Sequence, residues 1–238
     1  MIRFFRQIRQ KLLDDNKVSK YFIYASGEIF LVVIGILIAL QINNWNEDRK
    51  NRAIERSMLL EYQEELRFNF EELKSGIESM EGRANSCFVL LKVIEEEHPY
   101  HDSLANHFKV LTESLGGNLS HVAFKSIEDN GLKTITNNDL KKQVQNLHAH
   151  QYNQLSIRTQ NQISNIQEFG RPIVRHQLKA IGGGRYVPIN YKELMSQVSV
   201  WNILTVLKGN YVNLREIMER TQAEITKIDE LIERELQE

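Results

Sequence analysis

The chain has 238 residues, and its 30 Lys and Arg residues almost balance its 31 Asp and Glu residues, which gives a formal net charge of −1. This balance argues against a surface that binds nucleic acid, because such a surface carries an excess of positive charge. The single cysteine cannot form a disulfide within the chain, so cysteine usage fits any redox compartment.

The first residues of the chain combine apolar and basic side chains at helical spacing. Apolar residues recur every three or four positions, and arginine and glutamine occupy much of the opposite face. The apolar set is Ile2, Phe5, Ile8 and Leu12. For residues 1–20 this pattern predicts either an amphipathic helix on an anionic lipid surface or a basic signal that fixes membrane topology.

The most informative segment is the apolar run at residues 22–42, FIYASGEIFLVVIGILIALQI. As a helix rising about 1.5 Å per residue, it spans about 31 Å, the thickness of the hydrocarbon core of a bilayer. No polar side chain lies between Ile29 and Leu40, so the helix has no face suited to water. The run predicts a transmembrane helix at residues 21–45. A cleaved signal peptide is the alternative, but no small-residue cleavage motif follows the run.

Basic residues around the run favour one orientation. Six precede it and four follow it within a similar length. Those before it are Arg3, Arg6, Arg9, Lys11, Lys17 and Lys20, and those after it are Arg49, Lys50, Arg52 and Arg56. Because basic flanks are retained in the cytoplasm, the N-terminus is predicted to be cytoplasmic at a bacterial inner membrane, with residues 46–238 in the periplasm.

Two signals coincide on one face of the predicted span. Glu28 is an acidic residue in an apolar helix, where a charge is costly unless it reaches water or a partner. Gly35 and Ala39 form a small-residue pair of the kind that lets two helices approach closely. Together they predict weak self-association or contact with a protein partner in the membrane. The alternative is that the Glu28 side chain extends to the interface near Lys20.

Residues 21–47 read YFIYASGEIFLVVIGILIALQINNWNE. This stretch resembles the signature of a domain-of-unknown-function family of small single-span bacterial inner-membrane proteins, and the resemblance is specific over roughly residues 1–50. It implies a single N-terminal span that is followed by a helical domain. It implies no activity, because the family has no established function.

Apolar residues then recur every seven positions from Leu59 to Ile94, with a second apolar position four residues later in most repeats. This spacing predicts a long helix with one apolar seam, which Pro99 ends. The predicted seam comprises Leu59, Leu66, Leu73, Ile77, Met80 and Leu91. Cys87 also falls at a seam position and is expected to be a small core residue. Charged residues such as Glu65 are expected on the outer face of this helix. The seam can pack inside the chain or pair two chains as a coiled coil, and the sequence leaves both open.

Further periodic stretches predict helices at 103–115, 120–128, 139–170 with a kink near 148–150, 172–181 and 190–237. Ser120 is the expected N-cap of the helix at 120–128, and Asn137 or Asn138 is the expected cap of the helix that follows. The three glycines at 182–184 predict a turn between helices. The long apolar stripes at 50–97, 138–180 and 190–237 can be buried only against one another. Residues 46–238 are therefore predicted to form one antiparallel helical bundle or coiled-coil domain. With its N-terminal transmembrane helix, the protein is predicted to be all-α.

The sequence contains no recognised catalytic or metal-binding motif, such as HExxH, CxxC or GxSxG. Among its histidines, His148 and His150 are two positions apart and point to different faces of a helix. No cofactor, metal site or catalytic residue is predicted. The sequence favours a membrane-anchored, non-enzymatic scaffold, interaction or sensor module. The alternative is a small membrane-bound hydrolase or metal-handling protein with its site in the periplasmic domain.

Overall fold

The computed structural model describes residues 18–112 and 119–237, and 86% of these residues are helical. The predicted amphipathic segment at the N-terminus therefore lies mostly outside the described residues. The chain divides into two compact units, Met1–Glu55 and Arg56–Glu238. The first helix, α1, covers Val18–Glu95 and contributes to both units.

The first unit consists, as far as it is described, of the N-terminal part of α1. Its apolar side chains contact no core. Ile29, Leu31 and Leu37 are each between 59% and 66% exposed, and most of their apolar neighbours are also exposed. A helix of a water-soluble protein buries such side chains against a protein core. This surface therefore needs an apolar environment other than a protein core.

The second unit is built from α1 and a series of shorter elements. A 3₁₀ helix at Asp102–Leu111 is followed by α2 (Val122–Asn130), a 3₁₀ turn at Leu132–Thr134 and α3 (Asn138–Asn146). Asn137 caps α3, since its side-chain oxygen accepts hydrogen bonds from the backbone N–H groups of Asp139 and Leu140. The sequence predicted a cap at Asn137 or Asn138, and the structure places it at Asn137.

Two π-helical turns interrupt the next helical stretch. The first covers Leu147–Tyr152, and the second covers Ile166–Gly170. Between and after them lie α4 (Asn153–Asn165) and α5 (Arg171–Gln177). The first π turn coincides with the phase shift that predicted a kink near residues 148–150, and wide turns of this kind are a common cause of helix bending.

A β-hairpin replaces part of one predicted helix in this predominantly helical protein. The sequence predicted a helix at 172–181, but α5 ends at Gln177 and strand β1 (Leu178–Gly182) pairs antiparallel with β2 (Arg185–Pro188). The physical reason is the glycine turn, because Gly182 and Gly183 have φ angles of 90° and 62°. These left-handed conformations reverse the chain at once and allow the strands to pair, whereas we had expected a turn between helices.

Two helices complete the fold. A short helix, α6 (Tyr191–Met195), begins at the cap residue Asn190. The last helix, α7 (Val198–Gln237), runs for 40 residues and buries one side along its whole length. The sequence predicted continuous helix over 190–237, whereas the structure ends one helix at Met195 and begins the next at Val198. From Val198 onward, the predicted continuity agrees with α7.

The predicted seam residues lie in the core of the second unit. Leu59, Leu66, Leu73 and Met80 are at most 2% exposed, Leu91 is buried, and Ile77 is partly buried against the same core. This core is formed within a single chain, and it also takes in buried residues of α3, both π turns and α7.

Two contacts between α1 and α7 show how these helices are aligned. Arg56 donates a hydrogen bond to the carbonyl oxygen of Leu236 (2.6 Å). Farther along α1, the Arg83 guanidinium lies 5.9 Å from the centre of the Tyr211 ring. As the residue numbers on α1 increase, the α7 residues that contact them therefore have lower numbers.

One backbone approach is close enough to require glycine. A Cβ atom at Gly170, at the end of the second π turn, would lie 2.5 Å from the carbonyl oxygen of Leu111. Real Cβ atoms do not come so near to a backbone oxygen. This contact holds the 3₁₀ helix against the π turn.

The burial of the seam leads to a stability prediction. Leu66→Asp and Leu73→Asp each place a charge in the core, and we expect each to lower the free energy of unfolding of the full-length protein by about 3 kcal/mol or more. The matched control is Leu60→Asp, because Leu60 is on the same helix but 46% exposed. Thermal unfolding and limited proteolysis measure the difference. Equal unfolding temperatures for all three variants would contradict the burial of the seam.

Candidate functional site

The apolar surface of α1 is the first candidate site. Its most apolar 18-residue window has a mean hydropathy of 2.2, and none of that window is buried within the protein. This is one helix that is long and apolar enough to cross a membrane. The described part of the first unit supplies no protein surface that covers Ile29–Leu40.

The three residues predicted for membrane self-association lie on one side of this helix. Glu28 is half-buried and takes part in an interaction, so it is not an isolated charge. Gly35 is open, since a Cβ atom there would meet no other atom within 4 Å. Ala39 is exposed. Their spacing places them within about one third of the helix circumference, so a neighbouring helix can contact all three.

A second candidate site is a buried polar cluster where α1, α2 and the first π turn meet. Its members are Tyr62, Glu65 and Asn69 from α1, Ser120, His121 and Phe124 from the start of α2, and His148 and Tyr152 from the π turn. Most of these side chains make hydrogen bonds or ring contacts with one another, and most of the contacts connect segments that are distant in the sequence.

The Glu65 carboxylate accepts hydrogen bonds from groups at the N-terminus of α2. This carboxylate, buried on α1, accepts hydrogen bonds from the backbone N–H groups of Ala123 (2.7 Å) and Phe124 (3.4 Å) and from the Ser120 hydroxyl (3.0 Å). The N-cap residue of α2, His121, makes no capping hydrogen bond of its own. A carboxylate at this end of a helix also interacts favourably with the helix dipole.

This arrangement corrects two expectations. Ser120 was predicted to cap the helix at 120–128, but its hydroxyl donates to Glu65, which provides the cap from another helix. Glu65 itself was expected on the outer, solvated face of the seam helix, yet it is 7% exposed. A buried carboxylate is tolerated here because three donors satisfy it.

Asn69 fixes the chain just before α2. Its side-chain nitrogen donates to the carbonyl oxygen of Ser120 (2.9 Å) and to the Tyr152 hydroxyl (3.1 Å), and its side-chain oxygen accepts from the Ser120 N–H (2.7 Å). Asn69 is fully buried. Its amide therefore satisfies backbone groups that packing has removed from water.

His148 lies at the centre of the cluster. Its Nε2 atom is 2.9 Å from the Tyr62 hydroxyl oxygen, and its ring stacks on Phe124 with 3.5 Å between ring centres. The Tyr152 ring meets it edge-on at 4.8 Å. On the other side, the Nδ1 atoms of His148 and His121 are 3.4 Å apart.

Burial sets the protonation of this cluster. Burial, and to a lesser extent the neighbouring His121, lowers the pKa of His148 to about 3, so the imidazole is neutral at pH 7. Burial also raises the pKa of Tyr62 well above its usual value, with smaller contributions from Tyr152 and Glu65. Both groups are therefore uncharged hydrogen-bonding partners in the folded protein.

Cys87 occupies a seam position, and the structure buries it completely. Burial raises the pKa of its thiol to about 12, so the thiolate is not populated at neutral pH. The sequence indicated a small core residue at this position, and the burial agrees with that role.

Sequence reasoning did not identify the polar cluster. His121 and His148 are 27 positions apart, and Glu65 and Asn69 meet Ser120 across more than 50 positions. No spacing between residues that are close in the sequence predicts these contacts. The one relevant signal is that His148 and His150 point to different faces, and His148 is indeed enclosed while His150 is exposed.

Comparison with known proteins adds one result. Residues 28–81 match the family of unknown function DUF6090. The match begins inside the apolar run and extends into the seam, so it supports the expected resemblance to a family without an assigned function. No curated protein and no solved structure matches the chain.

The hydrogen bonds of Glu65 lead to a second prediction. Glu65→Ala leaves the amides at the start of α2 without an acceptor, and we expect it to lower the free energy of unfolding by about 1–3 kcal/mol. Glu65→Gln, which keeps one acceptor oxygen, should cost less. Thermal unfolding and hydrogen exchange at the Ala123 and Phe124 amides measure the effect.

The control for this prediction is Glu64→Ala, because Glu64 is the exposed neighbour on the same helix. It should leave both measurements unchanged. If amide exchange at Ala123 is equally slow in Glu65→Ala and in Glu64→Ala, Glu65 does not cap α2.

Proposed function

We propose that this protein is a membrane-anchored, non-enzymatic helical protein that acts as a scaffold, interaction or sensor module at the bacterial inner membrane. The observation that carries the proposal is the exposed apolar surface of Ile29–Leu40. Burying each such side chain in an apolar medium is worth about 1.5–3 kcal/mol, so together they supply ample free energy for insertion into lipid.

The proposed orientation is an N-terminus in the cytoplasm and the second unit in the periplasm. It rests on the excess of basic residues before the apolar run. Trp45 follows the run and is 63% exposed, with the Arg49 guanidinium 5.6 Å from its ring centre. An aromatic ring with a basic neighbour suits the headgroup region of a bilayer.

We infer that the second unit is an antiparallel helical bundle. The opposite order of contacts along α1 and α7 supports this arrangement, as does the burial of the seam within one chain. A bundle whose seam is filled by its own chain does not need a second chain to complete its core. Any partner would then bind to the outer surface or within the membrane.

A non-enzymatic role is proposed because the polar groups best suited to catalysis are already engaged in packing. Glu65 caps α2, Asn69 fixes Ser120, and His148 contacts the Tyr62 hydroxyl. A general acid or base needs a free lone pair or proton directed at a substrate. These groups direct theirs at other groups of the protein.

The proposed partners are the lipid bilayer and, within it, a second copy of this helix or another membrane protein. The face that carries Glu28, Gly35 and Ala39 would form that contact. Gly35 permits close approach of backbones, and Glu28 can hydrogen-bond across the interface. The expected interaction is weak, on the order of 1 kcal/mol for a polar contact.

Membrane insertion is tested by fractionation of cells that express the full-length protein. We expect it to stay with the membranes after an alkaline carbonate wash, which removes peripheral proteins. Val33→Arg combined with Leu37→Arg should release it, because each arginine near the centre of the helix costs about 2.5–3.5 kcal/mol. Ile54→Arg, outside the apolar run, is the control. Extraction of the unmodified protein by carbonate would exclude a span.

Orientation is tested with two reporters at the C-terminus. A reporter that is active only in the periplasm should be active when fused after Glu238, and a reporter that is active only in the cytoplasm should be inactive there. The same reporters placed before Met1 provide the control and should behave in the opposite way. The reverse pattern would overturn the proposed orientation.

Self-association is tested in membranes by cysteine crosslinking along residues 28–42, in full-length protein with Cys87→Ala. We expect crosslinking to recur at helical spacing. Gly35→Ile should reduce it about fivefold, the equivalent of about 1 kcal/mol, and Glu28→Gln should reduce it less because an amide still forms hydrogen bonds.

The structure makes Gly35→Ile informative, because a Cβ atom added at Gly35 meets no atom within 4 Å beyond the adjoining helix backbone. Val33→Ile, on the opposite side of the helix, is the control. Crosslinking without periodicity, or none, would mean that the span is a plain anchor.

A further inference from the structure

We propose that His121 and His148 form a binding site for a divalent first-row transition metal, for which Zn²⁺ is the natural probe. No metal site was predicted from the sequence. The proposal goes beyond the membrane role, and it stands on the geometry of the polar cluster in the second unit.

The distance between the two imidazoles is the first argument. Their Nδ1 atoms face each other at 3.4 Å. Zinc binds imidazole nitrogen at about 2.0–2.1 Å, and in a tetrahedral site two such nitrogens are about 3.3–3.4 Å apart. The pair thus has the spacing of two ligands of one Zn²⁺ ion without any rearrangement of the backbone.

The environment of His148 is the second argument. A metal-bound histidine generally donates its other ring N–H to a fixed acceptor, which orients the ring and sets the tautomer. His148 has the Tyr62 hydroxyl oxygen 2.9 Å from Nε2. With the proton on Nε2 donated to Tyr62, the lone pair of Nδ1 is directed towards His121. Phe124 and Tyr152 hold the ring from its face and its edge.

Access is the third argument. His121 is exposed, and it lines a groove of about 380 Å³ together with Tyr152, Ser156, Thr159 and Gln160. A metal ion can approach the His121 imidazole from this groove, which His148 does not line, and can complete its coordination with water. No set of three or more His, Cys, Asp or Glu side chains suited to a metal occurs in the described ranges, so the site has two protein ligands and open positions. Such a site binds reversibly.

The proton balance is simple. Without metal, the Nδ1–H group of His121 donates a hydrogen bond to the Nδ1 lone pair of His148. On binding, the proton of His121 moves from Nδ1 to Nε2, which is a change of tautomer of a neutral imidazole. Both Nδ1 lone pairs then bind the cation, and the pair gains no charge of its own.

The experiment uses the full-length protein in detergent, purified with an affinity tag that contains no histidine. Zn²⁺ is titrated in competition with a chromophoric chelator. We expect one Zn²⁺ per chain, and at least a tenfold weaker affinity in His121→Gln and in His148→Gln. Tyr62→Phe removes the acceptor of the His148 N–H and should weaken binding about tenfold. His150→Gln and His176→Gln, at exposed histidines outside the cluster, are the controls and should bind as the unmodified protein does.

A second measurement does not depend on the folding of the buried variant. Electron paramagnetic resonance of the protein with Cu²⁺ should show hyperfine coupling to two imidazole nitrogens, and to fewer in His121→Gln. Because His121 is exposed, that variant should fold. Equal Zn²⁺ affinity in the unmodified protein and His121→Gln would overturn the proposal, and so would a Cu²⁺ spectrum that His121→Gln leaves unchanged.

Discussion

Burial of one side of α1 is the constraint on which the second unit depends. The seam recurs every seven residues, so Leu66, Leu73 and Met80 all face the core. Because this side of α1 faces the core, the flanking polar residues Glu65 and Asn69 are also buried. Those groups must find partners, and the chain from Ser120 onward provides them. The position of α2 thus follows from the polar requirements of α1.

The parts of the fold that sequence reasoning predicted are those with a strong local pattern. The seven-residue repeat from Leu59 to Ile94 identifies a helix and its buried side, and Asn137 marks the start of α3 through a cap that needs only its nearest neighbours. The hairpin was missed because its strands are short and its glycine turn is equally suited to connect helices.

The two candidate sites differ in how far the sequence reveals them. The apolar surface of Ile29–Leu40 is visible in the sequence because composition alone creates it. The polar cluster depends on packing. From its sequence position, Glu65 is expected to be a solvated charge, but in the folded protein its carboxylate accepts a hydrogen bond from the Ala123 N–H. His121 and His148 meet only because a π turn and the start of α2 lie against the same part of α1. Long-range contacts of this kind have no sequence period.

The two π turns restrict how the length of the chain can change. Each turn holds a wider loop of helix than a regular α-helical turn, so the loss of one residue within Leu147–Tyr152 could be absorbed as ordinary helix. Because the wide turn already holds about one residue more than a regular turn, everything after it would keep nearly the same orientation about the helix axis. A residue lost from the regular helix α4 would instead rotate everything after it by about 100°. Gly170 would then leave the Leu111 carbonyl oxygen, and a residue with a side chain would take its place. In this region, a single deletion is therefore compatible with the fold only inside a π turn.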